Sequence, residues 1–480
     1  MQKLNKIIAS LFLLFPSCLL AQNIVHHEIL AQIIPEEHKI KVVDVITLDF
    51  EKSAAPEYID FLLHKGETPV LSSGNFRLER LSGEIAKQIR PEENEAASLK
   101  NVPNIVYRLH FINDRSQAQE HLINQITLEY TLNINHAVNS GGEEYERSIS
   151  ESPGIIIPAG VYLAGESLWY PRFDNELVTF RLSVRLPADW KSVSQGDRIY
   201  VENEKTYHLD TWEEKKAQDD IYLIAAKFQE YSQAAGKVKA MAFLREKDDA
   251  LAQKYLDVTA QYLQMYQELL GPYPYNKFAL VENFWETGFG MPSFTLLGPQ
   301  IIRFPFILHT SYPHELLHNW WGNSVYVNYA EGNWAEGLTS YLADHLIKEQ
   351  KGQDVLHRRA VLQKYTNFTQ SGGDFPLKDF VSRHNAVTEA VGYGKTLMMF
   401  HMLRLKLGDE TFARGLQDLY LNYRYKMAGY ADIENIFSAV SKQNLKPFFD
   451  MWINRTGAPD LQLKNVAVEK VFVSGNEKYQ

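Results

Sequence analysis

The chain has 480 residues, of which 45% are hydrophobic and 22% are charged, a composition typical of a folded globular protein. Its length exceeds what a single hydrophobic core usually supports, so two or three domains are expected. The formal net charge of −10 gives no support for a nucleic-acid partner.

The first 21 residues have the pattern of a signal peptide. Lys3 and Lys6 form a basic start, residues 7–15 are mainly apolar, and Ala21 precedes a plausible cleavage point. No stretch is long and apolar enough to span a membrane in the mature chain. The protein is therefore predicted to be exported, as a periplasmic or secreted protein. The only cysteine, Cys18, lies in this segment, and the alternative is a lipid anchor on Cys18.

Residues 22–235 are predicted to form a β-rich amino-terminal domain. Val, Ile, Thr, Tyr and Phe alternate with polar residues in several stretches that turn-rich pieces separate. This pattern favours an antiparallel saddle or sandwich, with no catalytic constellation inside it. The predicted strands are residues 42–50, 106–111, 126–134 and 180–186.

Residues 236–458 show a different pattern, which predicts a mainly helical α+β catalytic domain. Apolar residues recur at helical spacing over residues 248–270. A strand and a glycine-rich ribbon follow, and then several helices. We expect the strand at 277–282, the ribbon at 287–297, and the first two helices at 313–321 and 334–350. Residues 459–480 are predicted to be the start of a carboxy-terminal β segment, and a truncated segment is one interpretation.

The helix predicted at 313–321 carries a metal-binding pattern. His314 and His318 lie four residues apart, so both imidazoles face the same side of a helix and can reach one metal ion. Glu315 lies between them, where a carboxylate can accept a proton from an attacking water. The third ligand is expected to be a carboxylate on a following helix, and Glu336 is the candidate. Glu331 is the rival ligand, although its turn-like surroundings offer no helix to orient it.

Two segments resemble a known family. HELLHNWWGN at 314–323, followed by NWAEGLTSYLADH at 333–345, resembles the gluzincin zinc aminopeptidases related to aminopeptidase N and leukotriene A4 hydrolase. The segments GPYPYNKF at 271–278 and FFDMWINRTGAP at 448–459 are also similar to this family. The resemblance implies a thermolysin-like catalytic domain that follows a β-rich domain along the chain. It also implies an aminopeptidase that acts on peptide substrates with one Zn²⁺ per chain.

The resemblance also implies a role for individual residues. His314, His318 and Glu336 would hold the zinc ion, and Glu315 would act as the general base. The family supplies a tyrosine hydroxyl to the developing oxyanion, and Tyr393 in GYGKT at 392–396 is the matching residue. The resemblance does not define an oligomeric state.

One departure from the family affects the substrate end. The family's Gly-x-Met-Glu-Asn strand, whose glutamate binds the substrate α-ammonium, reads GFGMPS here, with Pro292 in the glutamate's place. Gly290 and Met291 remain the predicted substrate-binding residues, and Glu286 or Glu282 is a candidate replacement for the missing carboxylate. The alternatives are an endopeptidase, a peptidase for atypical amino termini, or a non-catalytic binding protein on a peptidase fold.

Overall fold

The computed structural model describes most of the chain. The described residues are 24–51, 56–72, 76–83, 85–86, 102–112, 121–140, 150–173, 177–370, 372–457, 470–473 and 476–479. The predicted signal peptide, with Cys18, lies outside the described residues, as do residues 458–469.

A seven-stranded sheet forms the centre of the amino-terminal part. Along Ile24–Ile34 every second residue is buried, which is the alternation expected of a strand with one face on a core. Ile24–Ile34 and Leu177–Pro187 pair in parallel, and the other pairs are antiparallel, so the sheet is mixed where the sequence predicted an antiparallel one. Strands far apart in sequence have no hairpin to fix their direction. The strand order is Asp197–Asn203, Tyr207–Gln218, Leu177–Pro187, Ile24–Ile34, Lys39–Glu51, His121–Asn133 and Val70–Leu71.

Two four-stranded sheets accompany this large sheet. One consists of Arg172–Phe173, Tyr58–His64, Asn104–Phe111 and Phe76–Arg80, in that order. The other consists of Gly154–Ile157, Gly160–Leu163, Leu223–Ala226 and Lys191–Val193. Asn139–Ser140 and Ser150–Glu151 form a separate short pair. Residues of all three sheets, with the fully buried Trp169 and Trp212, share one apolar core, which confirms the predicted β-rich domain.

A mixed five-stranded sheet begins the catalytic part. Its order is Gln229–Ala235, Val238–Leu244, Lys277–Glu282, Phe294–Leu297 and Gly288–Met291. The hairpin that joins the first two strands turns at residues 236–237, so the boundary predicted at residue 235 falls inside it. The long helix Asp249–Leu270 begins at Asp248, whose carboxylate accepts a hydrogen bond from the Leu251 backbone N–H at 2.9 Å.

The remainder of the catalytic part is mainly helical, as predicted. The helices after Asp249–Leu270 are Ser311–Leu317, Ala335–Ser340, Leu346–Gln350, Asp354–Thr369, Ala386–Glu389, Thr396–Leu407, Asp409–Tyr423, Tyr430–Ser441 and Lys446–Ile453. Two π-helical turns, Tyr341–His345 and Ala390–Lys395, continue directly into helices. Short strands pair Val325–Val327 with Lys426–Ala428, and Lys470–Val473 with Asn476–Tyr479. Within these described parts of the chain, no helix is long and apolar enough to cross a membrane.

The two parts of the chain share an apolar core behind the cleft that separates them. Tyr162 and Ile224 of the amino-terminal part pack in one cluster with Phe243, Val281 and Phe294 of the five-stranded sheet. This shared core places a wall of the amino-terminal part opposite the catalytic helices. The resulting architecture confirms the predicted fold class, a β-rich domain followed by a mainly helical peptidase-like domain.

Candidate active site

Two consecutive helices bring three metal-ligand side chains to one point. The imidazole rings of His314 and His318 have centroids 4.9 Å apart. Oε2 of Glu336 lies 3.4 Å from Nε2 of each histidine, and one ligand atom from each residue lies within 4.8 Å of the others. Two imidazole nitrogens and one carboxylate, with a cleft in front of them, are the donors of a catalytic Zn²⁺ site. The residues present therefore fit one zinc ion per chain.

The rival ligand, Glu331, is engaged elsewhere. Its carboxylate accepts hydrogen bonds from the Asn328 side-chain amide at 3.1 Å and from the Ala431 backbone N–H at 3.0 Å. Glu331 lies on a short 3₁₀ turn, Tyr329–Glu331, whereas Glu336 lies in the first turn of a helix. The structure therefore brings Glu336, and not Glu331, to the histidines.

The metal-binding helix ends earlier than predicted. It covers Ser311–Leu317, whereas the sequence predicted residues 313–321. The backbone N–H groups of Asn319 and Trp320 bond to carbonyls three residues back, which closes tight turns after Leu317. His318 keeps a helical backbone conformation at the helix end, so its ring still shares a face with His314.

Hydrogen bonds fix the orientation of both histidine rings. Nδ1 of His314 lies 3.1 Å from Oδ2 of Asp344, and Nδ1 of His318 lies 3.0 Å from the Trp321 carbonyl oxygen. When each Nδ1 donates its proton to these acceptors, each Nε2 is left free for the metal. Sequence reasoning did not assign Asp344. It lies eight residues after Glu336, in the π-helical turn Tyr341–His345, and spacing alone could not establish the contact.

Burial and the neighbouring charges act in opposite directions on the pKa values of the metal ligands. Burial disfavours the cation of His314, but the carboxylates of Asp344 and Glu336 outweigh burial and raise the pKa of His314 well above its usual value. Burial also disfavours ionisation of Glu336, and the two histidines outweigh it and hold the pKa of Glu336 below its usual range. The ligands therefore stabilise one another as a charged cluster, and metal binding has to displace protons from the imidazoles.

Glu315 is half-buried beside the ligands without being one of them. Burial raises the pKa of the Glu315 carboxyl above its usual value, although the neighbouring histidines lower it. A raised pKa makes the carboxylate a better proton acceptor near neutral pH. Its environment thus suits the role of general base that the sequence predicted.

Tyr393 lies next to the ligands, in the π-helical turn Ala390–Lys395. Its ring is nearly parallel to that of His314, with centroids 6.3 Å apart. Burial, together with the negative charge of Glu336, raises the pKa of Tyr393 well above its usual value. The phenol therefore stays protonated at neutral pH and can donate its O–H to an oxygen in the cleft.

The glycine-rich ribbon forms another side of the site. Strand Gly288–Met291 is an edge strand of the five-stranded sheet and lines the cleft. A Cβ atom on Gly290 would lie 2.9 Å from Oε2 of Glu315, so any side chain there would displace the predicted base. Asn323 donates from its side-chain amide to the Gly290 carbonyl at 3.0 Å, and Met291 is buried in the shared core. Of the two predicted substrate-binding residues, Gly290 thus lies beside Glu315, whereas the side chain of Met291 belongs to the shared core.

The two carboxylates proposed to replace the family's glutamate have structural partners. Glu286 lines the cleft, and its carboxylate accepts a hydrogen bond from the Gln300 backbone N–H at 2.8 Å. The buried Glu282 pairs with the Arg303 guanidinium at 2.7 Å and accepts from the Arg245 backbone N–H at 2.8 Å. Both side chains therefore brace the segments that flank the ribbon.

The site opens into a cleft of about 2140 Å³. Its floor holds the three ligands, Glu315 and Tyr393, and its opposite wall comes from the amino-terminal part. That wall carries an excess of acidic side chains. They are Asp60, Glu151, Glu166, Asp219 and Asp220. The volume and the negative charge suit an extended, positively charged ligand.

Comparison with known proteins agrees with this geometry. Residues 308–452 match the Peptidase family M1 domain. The chain is 22% identical over 338 residues to a probable aminopeptidase 2 of Sulfurisphaera tokodaii, covering 62% of this chain and 42% of that protein. It is 25% identical over 158 residues to an alanine/arginine aminopeptidase of Saccharomyces cerevisiae, covering 32% of this chain and 18% of that protein.

A solved structure extends the likeness to almost the whole chain. The M1 zinc metallopeptidase of Deinococcus radiodurans superposes with a TM-score of 0.64 at 16% identity, covering 93% of this chain and 96% of that one. The chain spans less than half the length of the two aminopeptidases above, but nearly all of the bacterial structure. Residues 308–452 therefore form a peptidase family M1 domain, of the gluzincin aminopeptidase type that the motifs of this chain resemble.

Proposed function

We propose that this chain is a zinc-dependent peptidase that hydrolyses peptides at their amino termini. The observation that carries the proposal is the convergence of His314, His318 and Glu336 at the floor of a large cleft, beside Glu315. When bound, Zn²⁺ polarises a carbonyl oxygen and lowers the pKa of water. A structural metal site would instead be closed by a fourth protein ligand.

The chain's own side chains supply the remaining chemistry. Glu315 accepts a proton from the attacking water and later delivers that proton to the leaving amine. Tyr393 donates its O–H to the substrate oxygen as negative charge develops on it. The free edge of strand Gly288–Met291 pairs with the extended backbone of the substrate, so that the scissile bond lies above Glu315.

The acidic wall of the cleft supports action at amino termini. Pro292 cannot bind an ammonium group, and Glu286 and Glu282 are occupied by backbone N–H groups and arginines. Asp220 is occupied as well, by the Gly165 and Ile221 backbone N–H groups and the Tyr170 hydroxyl. Glu151, Glu166 and Asp219 are therefore the carboxylates of the amino-terminal part that we propose for a free α-ammonium. A peptide with a neutral, blocked terminus gains nothing from this charge.

The test uses a panel of aminoacyl fluorogenic amides, with and without a chelator. We expect chelator-sensitive release that added zinc restores, because the ligand set holds the ion that polarises the carbonyl. A second comparison uses one peptide with a free and with an acetylated amino terminus. Equal rates on both forms would rule out the aminopeptidase assignment, and chelator-resistant release would rule out the metallopeptidase assignment.

We also propose that residues 1–21 direct export to the periplasm or the medium. The basic start, the apolar stretch and Ala21 support this proposal. Amino-terminal sequencing of the protein from the native host should begin at Gln22. A mature chain that begins at a lipid-modified Cys18 would support the anchored alternative, and an intact Met1 in the cytoplasm would contradict both.

A further inference from the structure

We propose that Arg383 binds the terminal carboxylate of the substrate, which makes short peptides with a free carboxyl terminus the preferred substrates of this enzyme. The proposal rests on the proposed peptidase function and specifies its substrate class. Arg383 would bind the carboxyl-terminal end of the substrate, which belongs to the leaving fragment. The acidic wall would bind the other end, which carries the α-ammonium group.

Among the described residues that line the cleft, three side chains carry a permanent positive charge: Arg172, Lys364 and Arg383. Arg172 lies near the acidic wall, where burial raises the pKa of Asp219 to about 7 and that of Asp220 to about 6, and the charge of Arg172 offsets part of this rise. A second carboxylate near Arg172 would be repelled by these neighbours. Arg172 is therefore a poor anchor for an anionic group.

Lys364 and Arg383 are differently placed, because both pair with a single carboxylate. Nζ of Lys364 lies 2.6 Å from Oε1 of Glu389, and Nη2 of Arg383 lies 3.3 Å from Oε2 of the same residue. Two cations beside one anion leave this group of three side chains with a net positive charge. The longer contact belongs to Arg383, whose guanidinium carries five N–H donors and satisfies few of them at Glu389.

The backbone that carries Arg383 is anchored to the catalytic helices. Asn333, at the start of the helix with Glu336, donates from its backbone N–H to the Phe380 carbonyl at 2.7 Å, and from its side chain to the Val381 carbonyl at 3.0 Å. On the other side, Asn385 caps helix Ala386–Glu389 by accepting from the Thr388 N–H at 2.9 Å. The backbone of Arg383 thus lies between two fixed points, which limits the positions that its guanidinium can reach.

The position of Arg383 relative to Tyr393 determines which part of the substrate Arg383 can bind. Phe380, three residues before Arg383, contacts the Tyr393 ring with centroids 6.0 Å apart. The ribbon, through Gly290, lies beside Glu315 and His318, whereas Tyr393 stacks beside His314. The proposed function places the amino-terminal residue of the substrate on the ribbon. A peptide that extends from the ribbon past Tyr393 therefore carries its downstream residues toward Arg383. A guanidinium and a carboxylate match as a two-point hydrogen-bonded pair.

The experiment compares three tripeptides on the full-length, zinc-loaded protein. They are trialanine as the free acid, trialanine amide, and Ala-Asp-Ala amide, which offers only a side-chain carboxylate. We expect kcat/KM for the free acid to exceed that for trialanine amide by about 10-fold or more, the usual effect of a charge-assisted hydrogen bond. In the Arg383→Gln variant this ratio should fall to about one.

Arg359→Gln is the matched control, because Arg359 is exposed on helix Asp354–Thr369 and does not line the cleft. The control should keep the wild-type ratio. Arg383→Lys, which keeps the charge and loses the two-point geometry, should give an intermediate ratio and serves if the glutamine variant does not fold. Equal rates on the acid and the amide in the wild type, or an unchanged ratio in Arg383→Gln, would overturn the proposal.

The remaining outcomes separate the two proposals. If Ala-Asp-Ala amide matches the free acid and depends on Arg383, the carboxylate site stands but its ligand is an acidic side chain, which overturns the terminal assignment. The fluorogenic aminoacyl amides contain no carboxylate. Their hydrolysis alongside equal rates on the two trialanines would leave the peptidase function standing and refute the Arg383 site alone.

Discussion

Two residues at the cleft floor, Glu315 and Tyr393, have different chemical roles and different neighbours. Glu315 lies against Gly290 of the ribbon, whereas Tyr393 stacks beside His314. The negative charge of Glu336 contributes to the raised pKa of Tyr393. Both side chains are half-buried, and their partial removal from water raises the pKa of each. The same physical effect thus prepares a carboxylate to accept a proton and a phenol to keep one.

Replacement of Tyr393 tests the second of these roles. Tyr393→Phe removes one hydroxyl and keeps the ring that contacts His314 and Phe380. We expect kcat to fall by about 10²–10³ with little change in KM, because the lost hydrogen bond forms mainly in the transition state. Steady-state kinetics on an aminoacyl amide measure this. An unchanged kcat would make Tyr393 a packing residue.

At the scale of the elements, π-helical turns place two side chains that regular helices would direct elsewhere. Tyr341–His345 contains Asp344, which orients His314, and Ala390–Lys395 contains Tyr393. The extra residue in such a turn rotates the following side chains around the helix. This explains why spacing along the sequence located Glu336 but left Asp344 unassigned.

The helix that carries Glu336 also depends on a close contact. A Cβ atom on Gly337 would lie 2.2 Å from Cβ of Thr396 and 3.0 Å from the Gly392 carbonyl oxygen, so only glycine fits there. Gly337→Ala should push the Glu336 helix away from the turn that holds Tyr393. We expect a loss of about 1–3 kcal/mol in the free energy of unfolding, together with reduced kcat.

Denaturant unfolding and kinetics on the same sample check this expectation. Gly352→Ala is a useful comparison, because no atom lies within 4 Å of a Cβ at Gly352, although its φ of +67° adds backbone strain. Gly352→Ala should therefore lower stability and leave kcat unchanged. Wild-type kcat in folded Gly337→Ala would show that the helix contact does not position the site.

The sequence predicted the elements of the catalytic domain better than their ends and partners. Strand 277–282 and the long helix from 248 were located closely, because their apolar residues follow regular periods. The end of the metal-binding helix was placed four residues too late, since the turns after Leu317 depend on local hydrogen bonds that leave no periodic signal. Partners that are distant in sequence, such as Glu282 with Arg303, required the fold.

Across the whole molecule, buried histidines make stability depend on pH. His345 is fully buried, and burial together with the charge of Arg358 lowers its pKa to about 4. Its neighbours are Arg358, which donates to Nε2 at 2.8 Å, Glu349, Tyr341, His357 and His401. Burial similarly lowers the pKa of His64 in the amino-terminal part to about 4.

The sign of the pH effect follows from these values. Between pH 6.5 and about 4 the unfolded chain binds protons at these histidines and the folded chain does not, so stability falls as the pH is lowered through this range. We expect His345 alone to contribute on the order of 2 kcal/mol between pH 7 and pH 5. His345→Gln, which keeps an acceptor for Arg358 without titrating, should reduce this slope in urea unfolding. A slope equal to that of the wild type would contradict the assignment.

We propose that a metal site and an adjacent base act together in one cleft, and the Glu315→Gln variant separates the two. Zinc content and turnover of an aminoacyl amide are measured on the same preparation. We expect about one zinc per chain and a loss of kcat of about 10² or more, because only proton transfer is removed while His314, His318 and Glu336 remain. Turnover close to the wild-type rate with zinc retained would show that Glu315 is not the base.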